Sequence, residues 1–505
     1  MVVDPLEPFI DATAQADLVR RDQVTPLELV DAAIARIEHV DPELNAVVHE
    51  RFDRARAEAA APLPGGPFRG VPYLQKDLDI TTEGDPYHAG TRVLRDRDHR
   101  ADRDSHLASL LRSSGLVLLG RTNTPELGLT ATTEPETAGA TVNPWAPSRS
   151  AGGSSGGAAA AVASGLVSIA HGSDGGGSIR VPASACGVVG LKPTRGRISA
   201  GPDVGEAWAG LGIDGVITRS VRDTAAALDV MAAPGVGDPY RAVPPDRPFA
   251  TEPGSDTGLL RVGLRWDAPT GGRPTHPDCV AAVRTAASFL EDLGHLVVED
   301  SPAALDDEEL PERFIDCFTV WVARELDRME EMTGASVPED GVEPATWFLA
   351  ETGRAVPAPR YLASLDRLHR YTRDITQWWA DGADILVTPT IGEPPPALGE
   401  FEATAEDPLR SLSRSAEVVA FTAPFNTTGQ PAVSLPLCWN DQGLPIGVQF
   451  VAAPGREDLL LRLAAQFELL CPWDQRRPPL RAPDHRGPRQ GGSRDPAPPG
   501  QALVG

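Results

Sequence analysis

The stretch from Ser148 to Ala200, SRSAGGSSGGAAAAVASGLVSIAHGSDGGGSIRVPASACGVVGLKPTRGRISA, concentrates the residue types that could do chemistry. Two glycine-serine loops, Gly152–Gly157 and Gly175–Ser178, each run into a series of small residues, so two exposed backbone turns can converge on one spot. Ser178 is a candidate nucleophile there. The successive N–H groups of Gly175, Gly176, Gly177 and Ser178 could surround the carbonyl oxygen of a bound substrate as an oxyanion hole. Glycine suits that role because no Cβ blocks the approach of the backbone. Neither loop fits G-x-G-x-x-G, and neither lysine of the chain follows a glycine, so a phosphate-cradling loop is disfavoured.

A serine nucleophile needs a base. Of the 46 lysines and arginines only two, Lys76 and Lys192, are lysine. A chain that uses arginine for nearly every positive charge and still keeps a lysine points to a task guanidinium cannot do, and losing a proton is the obvious one. Histidine is the alternative: His171 precedes Ser178 by seven residues, with His88 and His106 further away. His171 ends the apolar run Leu166–Ala170 and reads better as a structural imidazole, whereas Lys76 ends the extended run Gly70–Asp77 and is the better base.

Several elements must position these groups. Thr25, Pro26 and Glu28 form a capping box before a helix with Leu29, Ala33, Ile34, Ile37 and Val40 at helical spacing, stopped by Asp41-Pro42. A short strand at Ala46–Val48, a helix at Phe52–Ala61, a helix at His106–Ser113 and a buried strand at Gly115–Gly120 follow. Ala158–Ala163 is a helix of small residues able to pack closely on a sheet, and Ser220 caps a helix at Val221–Met231. Arg261–Arg265, Asp278–Leu293 and His295–Val298 read as strand, helix and strand, which implies parallel pairing. Residues 308–365 are largely helical, and strands return at Asp384–Val387, Ala432–Cys438 and Ile446–Val451 before a helix at Arg456–Leu470.

The run GGSSGGAAAAVASGLVSIAHGSDGGGSIRVPASACGVVGLKPTRG, with PYLQKD upstream, resembles the defining signature of the amidase signature family of serine hydrolases. The resemblance extends over about residues 8–475. It implies an α/β fold with a large mixed β-sheet core flanked by helices on both faces, hydrolysis of an amide through an acyl-enzyme, and a Ser-cisSer-Lys triad. In that triad Ser178 would be the nucleophile, Ser154 the relay preceded by a cis peptide, and Lys76 the base. Asp174 and Arg180 match positions that brace the oxyanion loop, and Lys192 matches a structural turn. FIDATAQADLVR, TTEPETAGATVNPW, APFNTTGQPAVSLPL and GLPIGVQFVAAPGREDLLLRLAAQFE are most similar to the branch that opens 6-aminohexanoate cyclic dimers. By that likeness Cys317, in IDCFTVWVARELDR, would lie by the substrate, with an ordinary buried cysteine as the alternative. Position 175 departs from the family, where a bulkier residue is common; glycine here implies a more flexible oxyanion strand or a roomier acyl pocket.

Composition narrows the field further. A net charge of -25 makes nucleic acid a poor partner. No apolar run of about 18 residues and no charged-then-apolar N-terminus occurs, so no membrane partner and a cytoplasmic location are expected. The five cysteines lie far apart with no CxxC pair, and no histidine pair has metal spacing, so neither a disulfide framework nor a metal site is expected. The reading is one amidase domain over residues 1–476, with a variable substrate region near 300–380 and a disordered Pro/Gly/Arg-rich tail over 477–505. It implies a small-molecule amide substrate, no cofactor and, by the resemblance, a homodimer. The rivals are an ammonia-releasing subunit of the glutamine amidotransferase kind, a broad amidase, esterase or urethanase, and a catalytically weak scaffold.

Overall fold

The computed structural model describes residues 5–270, 273–404, 406–407 and 409–484. Among them the apolar runs assemble into one eleven-stranded sheet. In spatial order its strands are Val47–Glu50, Val117–Thr122, Pro72–Lys76, Ile169–Asp174, Ile213–Thr218, Val189–Lys192, Ala432–Trp439, Pro445–Ala452, Ile385–Pro389, Arg261–Leu264 and Leu296–Val298. Pairing is mixed. Pro72–Lys76 runs parallel to both its neighbours, the three strands at the other end are mutually parallel, and the centre is antiparallel. The parallel pairing of Arg261–Leu264 with Leu296–Val298 is the one implied by the strand-helix-strand order. Helices cover both faces, and Pro72–Lys76 is buried along its whole length, Gln75 and Lys76 included.

The capping box forms: Glu28 N donates to Thr25 Oγ1 (3.2 Å) and Thr25 N donates to Glu28 Oε2 (2.8 Å). Asp41-Pro42, however, does not stop the helix, which runs Pro26–Leu44 and ends at Asn45 in the left-handed conformation. Proline this near the C-terminus removes one hydrogen bond, and the turn is closed by Asn45 N donating to Asp41 O at 2.7 Å. Residues 477–484, which composition assigns to the tail, dock on the body. Leu480 N donates to Pro144 O and Ala482 N to Ser164 O, and Ala482 is fully buried. Two apolar residues in a Pro/Arg-rich context anchor this segment; the rest of the tail, 485–505, lies outside the described residues. No helix among the described residues is long and apolar enough to cross a membrane.

The helix Gly156–Ala163 is the element that brings the two glycine-serine loops together. Every one of its residues is buried, and small side chains let it approach the sheet closely. Gly157 is where this approach is tightest: a Cβ there would stand 2.6 Å from Asn123 N and 2.7 Å from Ala46 O, both backbone atoms that cannot swing aside. Gly157→Ala is therefore expected to destabilise the fold by about 1–3 kcal/mol or more, read as a lower midpoint in urea unfolding with an unchanged m-value.

Candidate active site

The strand Pro72–Lys76 delivers Lys76 to the C-terminal side of the sheet, where the side chain is fully buried. Its Nζ donates to Ser154 Oγ at 2.7 Å and to Ser173 Oγ at 2.9 Å. The Gly153–Ser154 peptide is cis. Burial pushes the Lys76 ammonium down to about 8, with Asp79, Asp214 and Asp174 partly opposing that shift. A lysine in that range supplies a neutral amine at mildly alkaline pH.

The second serine of the pair, Ser155, ties the two loops together. Its N–H donates to Ser178 O (3.1 Å), its hydroxyl donates to Ser173 O (3.2 Å), and Ser173 N donates back to that hydroxyl (3.3 Å). Ser178 itself is half-buried and lines a cavity of about 670 Å³ together with Ser154, Ser173, Asp174 and Gly175. Lys76 does not reach that surface; it stands behind Ser154. The serines 154, 173 and 178 thus line the cavity while the Lys76 amine is buried behind them.

Asp174 and Arg180 brace the loop between them. Both are fully buried, and Arg180 Nε and Nη2 donate to the two Asp174 oxygens, each at 2.9 Å. Ile179 N and Arg180 N also donate to Asp174 Oδ2. The remaining Arg180 donors reach Thr422 O (3.0 Å), Gln449 Oε1 (2.7 Å) and Asn426 Oδ1 (2.5 Å). Burial raises the Asp174 carboxyl, but Arg180 and Asn426 outweigh it and hold the group down at about 2. Thr422 adds a further restraint, donating from Oγ1 to Gly176 O at 2.6 Å. A Cβ on Gly177, whose φ is +145°, would meet that same Oγ1 at 2.3 Å.

Gly175 leaves no extra room. A Cβ there would lie 2.3 Å from Trp208 Cζ3, so the indole occupies the space that a larger residue would need. Trp208 and Ala209 both adopt positive φ to bring the ring in, and Trp208 stacks on Trp321 (5.5 Å between centroids) and packs on Phe318 (4.9 Å) and Phe314 (5.2 Å). The expectation of a roomier pocket or a looser strand at position 175 is corrected accordingly: the gap is filled by aromatic surface.

Cys317 is buried in a cluster with Leu211 and Leu368, against Trp208 and Phe314, whereas the cavity wall here consists of Trp208, Phe318 and Trp321. Burial pushes its thiol up to about 11. His171 Nε2 pairs with Asp214 Oδ1 at 3.0 Å, His106 lies by Ser199, and His88 packs against His49. Among the described residues none of these imidazoles hydrogen-bonds to Ser178. Lys192 is also fully buried, donates to Pro193 O at 2.9 Å, and is pushed far down by burial and by Arg180.

Several residues of the site carry no local signal in the sequence. Asp79 and Asp214 present carboxylates to the cavity, Asp79 with φ +68°. Its carboxyl is raised by burial and by Asp214, with Lys76 opposing. Ser173 and Gln449 come from strands, and Thr422 and Asn426 from the cap and body of the short helix Ala423–Thr427, all far apart in the chain. Only the alternation within the strand Ile169–Asp174 could have hinted that Ser173 shares a face with His171.

The family model described as Amidase matches residues 28–461. A 6-aminohexanoate-cyclic-dimer hydrolase from Paenarthrobacter ureafaciens is 45% identical over 485 residues, covering 95% of this chain and 98% of the relative. The solved structure of a 6-aminohexanoate cyclic dimer hydrolase superposes with a TM-score of 0.91 at 45% identity, covering 95% of this chain and 99% of the other. A bacterial aryl acylamidase of the amidase signature enzymes superposes with a TM-score of 0.84 at 27% identity, covering 94% and 98%.

The contact at position 175 is testable by substitution. Gly175→Ala is expected to lower kcat/KM by about one to two powers of ten and stability by about 1–3 kcal/mol, because the methyl must displace the indole. Adding Trp208→Ala should restore the stability loss in part, measured by thermal unfolding of the two single variants and the double variant.

Proposed function

Because the chain belongs to the amidase family, we propose that it hydrolyses a non-peptide carbon–nitrogen amide bond through an acyl-enzyme on Ser178, with Ser154 as relay and Lys76 as base. The observation that carries this reading is the 2.7 Å contact between Lys76 Nζ and Ser154 Oγ, set behind a cavity that Ser154 and Ser178 both line. Neutral Lys76 draws a proton from Ser154 as Ser154 takes one from Ser178, whose oxygen attacks the substrate carbonyl. The negative oxygen that develops is met by the backbone N–H groups of residues 175–178, a donor set worth about 3–4 kcal/mol per bond in such sites. The relay then runs in reverse, Ser154 delivering the proton to the departing amine, and water attacks the acyl-enzyme by the same path.

The relatives and the cavity support a substrate class. The 45% identity to 6-aminohexanoate-cyclic-dimer hydrolase supports a cyclic or linear aliphatic amide of that kind. The cavity wall of Trp208, Phe318, Trp321 and Leu127 suits methylene chains, and Asp79 and Asp214 offer acceptors to substrate N–H groups. A hydrolysis panel read by mass spectrometry tests this: 6-aminohexanoate cyclic dimer and linear oligomers, aryl and short aliphatic amides, a carbamate and glutamine. Turnover of glutamine alone would replace the reading with the ammonia-releasing one.

Substitution of Ser178, Ser154 or Lys76 by alanine is expected to lower kcat by at least about a thousandfold with the fold intact by circular dichroism. Activity at more than about 1% of the parent in Ser178→Ala or Lys76→Ala would exclude the mechanism. The pH dependence has a defined sign. The base is active when deprotonated, so kcat/KM rises with pH along a limb near 8, the value to which burial brings Lys76. Asp79 favours the charged lysine, so Asp79→Asn moves that limb to lower pH, by roughly half a unit to one unit. A limb that stays in place in Asp79→Asn would assign it to another group.

A further inference from the structure

One residue beyond Lys76, three segments distant in the chain bring metal-ligating side chains together. His49 comes from the edge strand Val47–Glu50, Asp77 from the end of Pro72–Lys76, and His88 from the loop that follows. One donor atom of each lies within 4.8 Å of the others. His49 Nε2 is 3.7 Å from Asp77 Oδ2, and the two imidazoles meet edge to face with centroids 4.3 Å apart. His88 is only 8% exposed, and its Nε2 is buried without a hydrogen-bond partner. An imidazole nitrogen held away from water next to a carboxylate and a second imidazole is a group short of a partner.

We propose that His49, Asp77 and His88 form a binding site for a divalent transition-metal ion of the zinc class. Two nitrogens and one carboxylate oxygen suit such a borderline cation and not magnesium or calcium, which take oxygen ligands. Zinc bonds of about 2.0–2.2 Å place tetrahedral ligands roughly 3.3–3.6 Å apart. The His49–Asp77 separation of 3.7 Å is already close to that edge. The widest donor separation, within 4.8 Å, closes by about 1 Å. His49, with 20% of its side chain exposed, opens the site to solvent and leaves a fourth position for water.

The surroundings orient the carboxylate for this use. Asp77 Oδ1 accepts from His88 N at 3.1 Å and faces Arg121 Nε at 3.9 Å, while Oδ2 is turned to His49. Arg121 is itself held by Ile80 O (2.9 Å) and Lys76 O (3.3 Å). Its positive charge sits on the far oxygen and weakens the site relative to a four-ligand structural zinc. None of the three ligands lines the cavity. The ion therefore ties the edge strand to the segment after Lys76 and takes no part in hydrolysis. The expectation of no metal rested on local spacing, and positions 49, 77 and 88 have no local spacing to show.

The test uses tag-free, chelator-treated full-length protein titrated with cobalt(II), followed by its visible d–d absorption, and with zinc by calorimetry. One equivalent per chain is expected, with magnesium silent and with zinc raising the unfolding temperature. His49→Asn and His88→Asn should each weaken cobalt binding by at least about tenfold and abolish the zinc-dependent rise, while Ser178→Ala binds as the parent does. His49→Asn changes a partly exposed edge residue, so it keeps the test valid if His88→Asn fails to fold. Binding weaker than millimolar in the parent protein, or binding unchanged in His49→Asn, overturns the proposal.

Discussion

The buried ion pair between Asp174 and Arg180 is the constraint around which the candidate site is arranged. Two charges with no access to water must be fully paired, since removing one partner of such a pair costs about 3–5 kcal/mol. Here the demand is met by drawing acceptors from two other segments: Thr422 and Asn426 from the short helix Ala423–Thr427 and its cap, and Gln449 from the strand Pro445–Ala452. Because Asp174 also accepts from the N–H groups of Ile179 and Arg180, the same carboxylate closes the intervening glycine loop on itself. A loop of three glycines would otherwise be the most mobile part of the site. The ion pair converts it into a fixed array of donors.

Lysine usage makes sense in the same terms. Both lysines are buried, at 0% and 1% exposure, while arginine supplies the surface cations and some buried ones such as Arg121 and Arg180. An ammonium can respond to burial by giving up its proton, an option closed to guanidinium. Lys76 donates to Ser154, and burial pushes its ammonium down to about 8. Lys192 lies close enough to Arg180 and Asp174 to feel both, and burial together with Arg180 pushes its ammonium well down.

The helix Leu310–Thr333 reaches the glycine loop by way of the Trp208 indole, which lies against Gly175. Trp208 is carried on a strained turn and backed by Phe314, Phe318 and Trp321 from the helix Leu310–Thr333. That helix therefore packs on the indole that packs on Gly175, so the part of the chain that shapes the cavity wall and the loop that leads to Ser178 are joined by van der Waals contact, which the absence of a side chain at 175 permits.

By itself the sequence determined which residues are candidates for chemistry and most of the elements under them, because these signals are largely local. Two glycine-serine loops, a pair of retained lysines, an alanine helix and a serine-capped helix at Val221–Met231 can each be read within a few positions. The helix end at Leu44 and the docking of Leu480 and Ala482 were missed because composition averages over single stabilising contacts. Tertiary structure alone decided that Ser173 and Ser155 lock the loops, that Trp208 fills the space at Gly175, that Cys317 packs behind the cavity wall, and that His49 and His88 meet at Asp77. The physical reason is common to all four. Each depends on side chains brought within van der Waals or hydrogen-bond distance by the pairing of non-adjacent strands or by loop and helix packing, and nothing in the neighbouring residues encodes which distant partner will arrive.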